Sequence, residues 1–305
     1  MSTTAQRARE QANVADRSAS RRLTAKQARE QASVADRSAG RRLTAQQARE
    51  QANWYDYPQY FDMVFRDETA SEIAFFIEAF ERYAAGPVQR VLEPGCGSGR
   101  LVTALASRGL DVTGVDLSAP SLNYLRRKLR RRGLSATLVQ SDFTCLDLPQ
   151  PFDAAYCTFN TFRHLTTEQA AVSHLQSVAD HLRPGGIYIL GFHIIPLDAE
   201  KQCIERWKAS HGSTTVNVTL RVTDFNRRKR LEQIHVVLTA KTPTRTTRCR
   251  TDFPLRLYTT AQVQATLARV PSLQVAGVYD FDYDLTAPRA MDDDLIDCVL
   301  VLKKH

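Results

Sequence analysis

The stretch "VQRVLEPGCGSGRL", residues 88–101, decides the fold. A short apolar run ends at an acid, Glu93, and three glycines follow at alternate positions: Gly95, Gly97 and Gly99. Glycines after a strand let a ligand approach the backbone and leave N–H groups free at the start of the next helix. A dinucleotide-binding loop reads G-x-G-x-x-G and needs no acid before it. The acid here suits a ligand that carries an ammonium or sulfonium group.

The segments around this loop alternate between strand and helix patterns. Predicted strands lie at 88–92, 111–116, 136–143, 152–159 and 187–194, and predicted helices at 71–84, 101–108, 119–133 and 166–182. The "RPGG" segment, 183–186, predicts the turn before the fifth strand. This alternation is typical of a parallel sheet that is covered by helices on both faces.

Three acids stand at or near the ends of the first three predicted strands: Glu93, Asp116 and Asp142. Ligands of such sheets bind outside the carboxyl ends of the strands. Asp116 can accept hydrogen bonds from both hydroxyls of a ribose, and Asp142 with Phe143 offers an adenine an acceptor and an apolar face. Asp116 and Asp142 also have structural alternatives, as a helix cap and as a turn residue. Together, the three favour a nucleoside-containing ligand.

These motifs resemble those of the class I S-adenosylmethionine-dependent methyltransferases, specifically their small-molecule branch. The motifs are "VLEPGCGSGR", "VTGVDLS", "VQSDF", "FDAAYCTFNTFRHL" and "LRPGG", and the resemblance covers about residues 54–194. It implies an enzyme that uses S-adenosyl-L-methionine, with a Rossmann-like, doubly wound α/β sheet of seven strands whose last strand is antiparallel.

The resemblance also implies which residues bind the cofactor. The aromatic segment "WYDYPQYFD", 54–62, is similar to one that covers the cofactor in this branch, although helix packing is the alternative. The expected cofactor-binding residues are Glu93, Gly95, Cys96, Gly97, Gly99, Asp116, Leu117, Asp142, Phe143, Thr158 and Phe159, together with Tyr55 and Tyr60 of the aromatic segment.

Candidate bases and acceptor contacts follow the fourth and fifth strands. His164 and His193 are the candidate catalytic bases, with a structural role as the alternative for each. Asn160, Arg256 and Tyr258 are the candidate acceptor contacts, with a solvated arginine as the alternative for Arg256 and sheet packing as the alternative for Tyr258. No Asn/Asp-Pro-Pro-Tyr follows the fourth strand, which disfavours methylation of nucleobase amino groups or side-chain amides.

The segment 196–258 predicts a β-rich insertion over the active site. Polar and apolar residues alternate at 214–222, 232–238 and 247–253, as in antiparallel strands. A helix at 258–270 and two last strands at 273–281 and 295–304 complete the predicted methyltransferase domain, 54–305.

Residues 1–53 predict a repetitive tail. Residues 4–23 and 24–43 are identical at 16 of 20 positions and hold few large apolar residues, so the tail should be disordered or transiently helical. Residues 1–50 carry a surplus of +6, which leaves +2 for the remaining 255 and argues against a nucleic-acid-binding core. A basic docking arm is the alternative to a dispensable duplication.

Composition predicts a cytoplasmic chain without a membrane partner or metal. The six cysteines form no C-x-x-C pair, and no apolar run approaches the roughly 18 residues that span a bilayer. The predicted reaction is methyl transfer to N or O of a small-molecule acceptor. The alternatives are an RNA or protein methyltransferase that uses the tail for docking, and a non-catalytic partner subunit that binds the cofactor.

Overall fold

The computed structural model describes residues 53–195 and 203–305, and the N-terminal repeats lie outside these residues. Short 3-10 helices cover Trp54–Asp56 and Thr161–His164. The α-helices are α1 Pro58–Val64, α2 Thr69–Tyr83, α3 Arg100–Ala106, α4 Ala119–Arg131, α5 Glu168–His181 and α6 Thr260–Leu267. The strands are β1 Arg90–Pro94, β2 Asp111–Asp116, β3 Thr137–Gln140, β4 Phe152–Cys157, β5 Leu182–His193, β6 Ile204–His211, β7 Thr214–Asn226, β8 Leu231–Lys241, β9 Thr246–Arg256, β10 Leu273–Tyr279 and β11 Asp297–Lys304.

Seven of these strands form the central sheet, in the order β10-β11-β5-β4-β1-β2-β3. Strands β1 to β5 pair in parallel. The last strand, β11, runs antiparallel to both β5 and β10. The predicted doubly wound, Rossmann-like sheet with an antiparallel last strand is therefore confirmed.

Helices cover both faces of this sheet because alternate strand residues point to opposite sides. Val91 joins the apolar cluster that contains Phe76 of α2 and Leu105 of α3. Its neighbour Leu92 joins the cluster that contains Leu175 of α5. Each of these side chains is fully buried, and burial of a side chain of this size stabilises the fold by about 1.5–3 kcal/mol.

Strands β6 to β9 form a separate antiparallel sheet after β5, which confirms the predicted β-rich insertion. One face is apolar and includes Val218, Val236 and Cys249, which cluster with Trp54 and Phe65 from the N-terminal part of the domain. Strand β6 is not predicted by the sequence, because most of it is exposed and it lacks a regular apolar alternation.

Two of the differences between the sequence-based boundaries and the structure bear on the site. The "RPGG" segment is not a turn before β5 but part of that strand, where Gly185 has a φ of 76° and the pairing with β4 shifts register. Strand β3 ends at Gln140, so Asp142 lies in the loop beyond it. In the described part of the chain, no helix is long and apolar enough to cross a membrane.

Candidate active site

The candidate site lies at the carboxyl ends of β1 and β4. These strands are neighbours, and the chain continues from β1 towards β2 on one side and from β4 towards β5 on the other. Such a switch point opens a crevice beyond the strand ends, where ligands of doubly wound sheets bind. The glycine-rich loop follows β1 at this edge, and the turn Thr158–Asn160 follows β4.

The three glycines of the loop have different roles. A Cβ on Gly95 would lie 2.4 Å from the Thr161 side chain, and one on Gly99 would lie 2.2 Å from Leu125. These two glycines are therefore required by internal packing. Gly97, with a φ of 51°, has no atom within 4 Å of such a Cβ. Gly97 thus borders open space, as expected where a ligand approaches the backbone.

Asp116, the last residue of β2, forms a hydrogen bond with the glycine-rich loop. Its Oδ2 accepts the Gly97 N–H at 2.7 Å, and its Oδ1 accepts the Ser118 N–H at 2.7 Å. The helix cap itself is the Ser118 hydroxyl, which accepts from Ser121. Each Asp116 oxygen keeps a second lone pair for a ligand hydroxyl. Burial raises the pKa of Asp116, and its neighbour Leu117 is 63% exposed, an unusual placement for leucine.

Glu93 differs from its expected role as a charged ligand partner. Its side chain is buried at the end of β1, and Oε2 accepts a hydrogen bond from the Tyr156 hydroxyl at 2.8 Å. Desolvation raises the pKa of Glu93 to about 8, although the Tyr156 hydrogen bond and Arg100 act in the opposite direction. The carboxyl group is therefore largely uncharged at neutral pH in this structure.

The side chains of Cys96 and of the loop after β3 make contacts within the protein. The Cys96 side chain is buried, and its Sγ lies against Gly114, so only its backbone could meet a ligand. Asp142 is exposed and accepts the Thr144 N–H at 2.8 Å, which is the turn role considered for it. Phe143 is buried edge-to-face against His174, with ring centroids 4.8 Å apart.

The turn after β4 has a strained backbone. Phe159 and Asn160 both have a φ of 64°, a left-handed conformation that costs non-glycine residues energy and clusters at functional sites. The Phe159 ring packs on Phe65 at 4.5 Å, and the Arg100 guanidinium lies 5.5 Å from its centroid. Asn160 Oδ1 accepts the His193 N–H at 2.9 Å, so this turn is tied to the end of β5.

Glu72 of α2 organises the same turn, and sequence reasoning did not identify it. It is 1% exposed and forms an ion pair with Arg100, the first residue after the glycine-rich loop. Its Oε1 also accepts hydrogen bonds from Thr158 Oγ1 at 2.9 Å and from the Tyr283 hydroxyl at 3.2 Å. The available signal was an acid on the apolar face of a helix, four residues before Phe76.

His164, which lies just after the turn that follows β4, forms a pair with Tyr55. The Tyr55 hydroxyl lies 3.0 Å from His164 Nε2, and the Phe253 ring of β9 lies 5.1 Å from the imidazole. The His164 side chain is exposed to solvent, and its ring contacts these aromatic groups, which exclude water from part of it. This desolvation, together with the positive charge of Arg163, lowers the pKa of His164 to about 4. Tyr60 instead stacks on Tyr57, at 5.9 Å.

His193 forms a second pair, with a residue that sequence reasoning did not identify. Its Nδ1 lies 2.7 Å from Oδ1 of Asp297, the first residue of β11. Both side chains are partly exposed. No local motif predicts this pair, because the two residues are joined only by the antiparallel pairing of β11 with β5.

Arg256 and Tyr258 lie in a buried ionic cluster that joins the insertion to the central domain. Arg256 bonds the Glu168 carboxylate at 2.6 Å, and its carbonyl accepts from Arg163 at 2.9 Å. Arg163 also pairs with Glu232 of β8. Tyr258 is 1% exposed and stacks on Phe162. Tyr258 thus has the packing role that was its alternative, whereas Arg256 is buried and is not the solvated arginine that was its alternative.

Other features of the described residues bear on the site. Trp207 lies in the insertion with its ring 5.6 Å from Phe65. Among the residues that the structure describes, no group of three or more His, Cys, Asp or Glu side chains is arranged to hold a metal ion.

Comparison with known proteins agrees with this geometry. Residues 91–186 match the family model described as "Methyltransferase domain". The cypemycin N-terminal methyltransferase of a Streptomyces species is 34% identical over 135 residues, which cover 41% of this chain and 54% of that protein. The chain thus spans about half the length of this curated relative. The predicted resemblance to S-adenosylmethionine-dependent methyltransferases is confirmed for this domain.

Solved structures show the same fold. An S-adenosylmethionine-dependent methyltransferase from Clostridium acetobutylicum has a TM-score of 0.67 at 18% identity, covering 83% of this chain and 99% of its own. The amino pentose methyltransferase CalS10 from Micromonospora echinaspora, solved with bound S-adenosylmethionine, has a TM-score of 0.62 at 21% identity, covering 83% and 98%.

Proposed function

We propose that this chain is an S-adenosylmethionine-dependent methyltransferase that acts on a nitrogen or oxygen atom of a small-molecule acceptor. The observation that carries the proposal is the arrangement of Gly97 and Asp116, which lie together at the carboxyl ends of the central strands and are joined by a hydrogen bond. The backbone there borders open space at Gly97, and the Asp116 carboxylate beside it keeps unused lone pairs. The match of residues 91–186 to a methyltransferase domain supports the same conclusion.

The residues at this edge fit the expected cofactor. Asp116 would accept hydrogen bonds from the ribose hydroxyls, and the exposed Leu117 would contact the apolar part of the nucleoside. Gly97 would allow the methionine part to lie close to the loop. When bound, S-adenosylmethionine would supply an electrophilic sulfonium methyl group for transfer to an acceptor lone pair, and its sulfur would be left as a neutral thioether.

The protein's own contribution to this chemistry is alignment and desolvation. Correct positioning of two reactants is worth about 7–11 kcal/mol in well-oriented systems. The strained Phe159–Asn160 turn, fixed by Glu72 and Arg100, would hold the acceptor side in place. We propose the insertion as a cover that excludes water, since Phe253 of β9 lies against His164.

Three ring side chains beside the turn that follows β4 support the proposal that the acceptor is a small molecule. Tyr55, His164 and Phe253 lie together, and a neutral His164 can orient an acceptor through hydrogen bonds without carrying a positive charge. One similar protein is named as an N-terminal methyltransferase, and one protein of the same fold as an amino pentose methyltransferase. Both names are compatible with methylation at nitrogen.

One surface supports the alternative of an RNA or protein methyltransferase. The outer face of the insertion sheet carries exposed cations that have no ion-pair partner among the described residues: Arg206, Lys208, Arg221, Lys241, Arg248 and Arg250. No Phe, Tyr or Trp accompanies them on this sheet face, so base stacking is not available there. RNA retention that falls steeply between 50 and 200 mM salt would support this alternative.

The proposed function is tested by methyl transfer from labelled S-adenosylmethionine. The full chain is incubated with separate pools of small amines, phenols, alcohols, RNA and peptides, and the labelled product is identified by mass. The proposal expects a gain of one methyl group in a small-molecule pool. Transfer only to RNA or peptides would favour the alternative, and cofactor binding without any transfer would favour a non-catalytic subunit.

A further inference from the structure

The outer face of the insertion sheet is a surface that the proposed activity does not use. Side chains alternate between the two faces along β6 to β9. Those of one face, such as Val218 and Val236, are buried in the cluster that contains Trp54. Those of the other face are exposed or half-buried, so they present a surface to solvent.

Strand pairing arranges this outer face in rows that cross all four strands. Two neighbouring rows each have a cation at both ends and two short residues between them. They contain Arg206, Thr219, Val237 and Arg250 in one row, and Lys208, Asn217, Thr239 and Arg248 in the next. The long side chains of the edge strands β6 and β9 therefore form two cationic rims beside a floor of short side chains on β7 and β8.

The four rim cations, Arg206, Lys208, Arg248 and Arg250, are all exposed. Their side chains form no hydrogen bond or ion pair with another residue that the structure describes. An acid, Asp252, lies in an adjoining row, but its Oδ1 is 2.7 Å from His235 Nδ1. The rims thus carry positive charge that the described residues do not pair, and like charges on one sheet face repel each other.

The chain has a second basic surface, which its own helix explains. Four exposed arginines, Arg127, Arg130, Arg131 and Arg132, lie in or just beyond the last turns of α4. Cations at the C-terminal end of a helix are stabilised by the negative end of the helix dipole. The rim cations have no such local stabilisation, so a ligand is the simpler explanation for them.

The dimensions of the sheet select the shape of that ligand. Neighbouring strands are about 4.8 Å apart, which places the backbones of β6 and β9 about 14 Å apart across the floor. An α-helix with its side chains is about 10–12 Å wide and fits between the rims. The two cations of each rim are about 7 Å apart along their strand, and residues four apart on a helix rise by about 6 Å. Acids at positions i and i+4 on both flanks of a helix therefore match the rims.

Other anionic or self-derived occupants match this surface less well. Single-stranded RNA is bound by stacking on aromatic side chains, which the rows lack. Double-stranded RNA is contacted over about 16 base pairs, much longer than the rims. Residues 1–50 of this chain carry a surplus of +6 and would be repelled, as would the same face of a second copy.

We propose that the outer face of the insertion sheet binds an acidic helix of a partner protein. Carboxylates on both flanks of the helix would pair with the rim cations, and small helix residues would lie over Thr219 and Val237. Exposed ion pairs are individually weak, so the affinity comes from several pairs together and falls as salt screens them. This interaction is additional to the proposed methyl transfer, since the face points away from the Trp54 cluster.

The binding test uses the full chain and a labelled alanine-based peptide of about 20 residues, long enough to form a helix in water. The peptide has glutamate pairs at i and i+4 on two flanks, with an alanine stripe between them. One control peptide has glutamine in place of each glutamate, and another has the same composition with every glutamate on one face. Fluorescence anisotropy should show tightest binding of the two-flank peptide, with an affinity at least about tenfold weaker at 300 than at 50 mM salt.

A rim variant, R206Q/K208Q/R248Q/R250Q, should bind the two-flank peptide at least about tenfold more weakly than the wild type. The half variants R206Q/K208Q and R248Q/R250Q should each lose part of the affinity, because the helix contacts both rims. Urea unfolding should show that all three variants stay folded, since the removed charges repel each other in the wild type.

The matched control variant is R127Q/R130Q/R131Q/R132Q, which removes the same charge from α4. It should bind the two-flank peptide as the wild type does. Equal affinities of the control variant and the rim variant would overturn the proposed surface. Equal affinities of the wild type for the two-flank and one-face peptides would overturn the helix geometry.

Other occupants are tested with the same variants. Tighter binding of a single-stranded RNA 20-mer or of phosphatidylserine vesicles, lost in the rim variant, would overturn the partner helix in favour of another polyanion. Salt-sensitive self-association of the wild type that the rim variant lacks would overturn it in favour of a second copy. None of these readouts needs turnover, so their failure leaves the proposed function in place, and absence of methyl transfer leaves the docking surface in place.

Discussion

At the scale of single residues, Glu93 shows how burial changes the meaning of a motif. The sequence places an acid beside the loop and predicts a negative charge there. In the structure, the carboxyl group is desolvated and bonded to Tyr156, and its pKa rises to about 8. The sequence shows where the acid stands but not how much water reaches it, and the water decides its charge.

Glu93→Gln should therefore stabilise the ligand-free chain at alkaline pH. Between pH 4.5 and 8 the folded chain holds a proton on Glu93 that the unfolded chain has lost, so the wild type loses stability as pH rises through this window. Glutamine cannot ionise and can still accept from Tyr156. By urea unfolding, the variant's advantage should grow by a few kcal/mol, on the order of magnitude of the pKa shift, between pH 5 and 8.

The control for this change is Glu81→Gln, at an exposed position of α2. It should alter stability by less than about 0.5 kcal/mol at either pH, as is usual for surface substitutions. An advantage of Glu93→Gln that is the same at pH 5 and pH 8 would show that the buried carboxyl is not protonated in the folded chain.

Gly97→Ala should harm cofactor binding more than stability. The new Cβ meets no protein atom, so the folding cost is the left-handed backbone alone, about 1–2 kcal/mol. Gly133→Ala is the matched control, because Gly133 also has a positive φ and no atom near an added Cβ. Gly133 lies beyond the C-terminal end of α4, away from the carboxyl ends of the strands. Both variants should lose similar thermal stability, and only Gly97→Ala should weaken S-adenosylhomocysteine binding. Equal affinities of the two variants would remove Gly97 from the site.

Site residues that belong to a local sequence motif could be predicted, whereas residues that reach the site from elements distant in sequence could not. Gly97 and Asp116 follow from strand ends that periodicity locates, so the sequence alone identifies them as candidates. Glu72, Tyr156 and Asp297 reach the site from other elements, and their partners are fixed by packing and strand pairing. Arg256 and Tyr258 show the converse: their types suit a ligand, but the structure engages them in buried contacts.

At the scale of elements, the insertion is joined to the central domain by a buried charge pair. Glu232 of β8 and Arg163, beside His164, are each almost fully buried and form an ion pair. Burial lowers the pKa of Arg163, although Glu232 opposes this effect. Removal of one partner from such a pair leaves an uncompensated charge in the protein interior.

Glu232→Gln should destabilise the fold and slow the reaction while sparing the cofactor. We expect a loss of about 3–5 kcal/mol in urea unfolding, the usual cost of breaking a buried pair. Movement of Arg163 would displace His164, so kcat should fall, whereas S-adenosylhomocysteine affinity should change by less than about threefold. Glu81→Gln, at an exposed position of α2, is again the control. An unaltered stability of Glu232→Gln would show that the pair does not hold the insertion.

The insertion sheet also shows which strands the alternation of polar and apolar residues fails to predict. Three of its strands were predicted because apolar residues alternate along them. Strand β6 was missed because an edge strand of this sheet needs few buried residues. Its pairing with β7 supplies the order that its own sequence does not indicate.

At the scale of the whole molecule, the described domain begins with an anchored aromatic segment. Trp54 is 5% exposed in the apolar cluster of the insertion sheet, and its backbone N–H donates to Thr251 Oγ1 at 2.9 Å. The repeats that precede this segment lie outside the described residues, so their role stays a prediction.

A chain that begins at Thr44 should keep the stability, cofactor affinity and turnover of the full chain. The repeats are poor in large apolar residues, whereas Trp54 packs in a core. Trp54→Ala in the full chain is the contrasting variant and should cost about 3–5 kcal/mol in urea unfolding. A large stability loss on truncation, or protection of Arg21, Arg22, Arg41 and Arg42 from trypsin, would show that the repeats pack as structure.

The central claim is that the Gly97–Asp116 edge holds a nucleoside cofactor, and calorimetric titration with S-adenosylhomocysteine tests it most directly. The full chain should bind one equivalent. Asp116→Ala should stay folded and bind at least about tenfold more weakly, since hydrogen bonds to a charged group are worth about 1.5–3 kcal/mol each. Asp111→Ala, at the exposed start of the same strand, should bind as the wild type does. Absence of binding by the wild type, or equal binding by folded Asp116→Ala, would contradict the account.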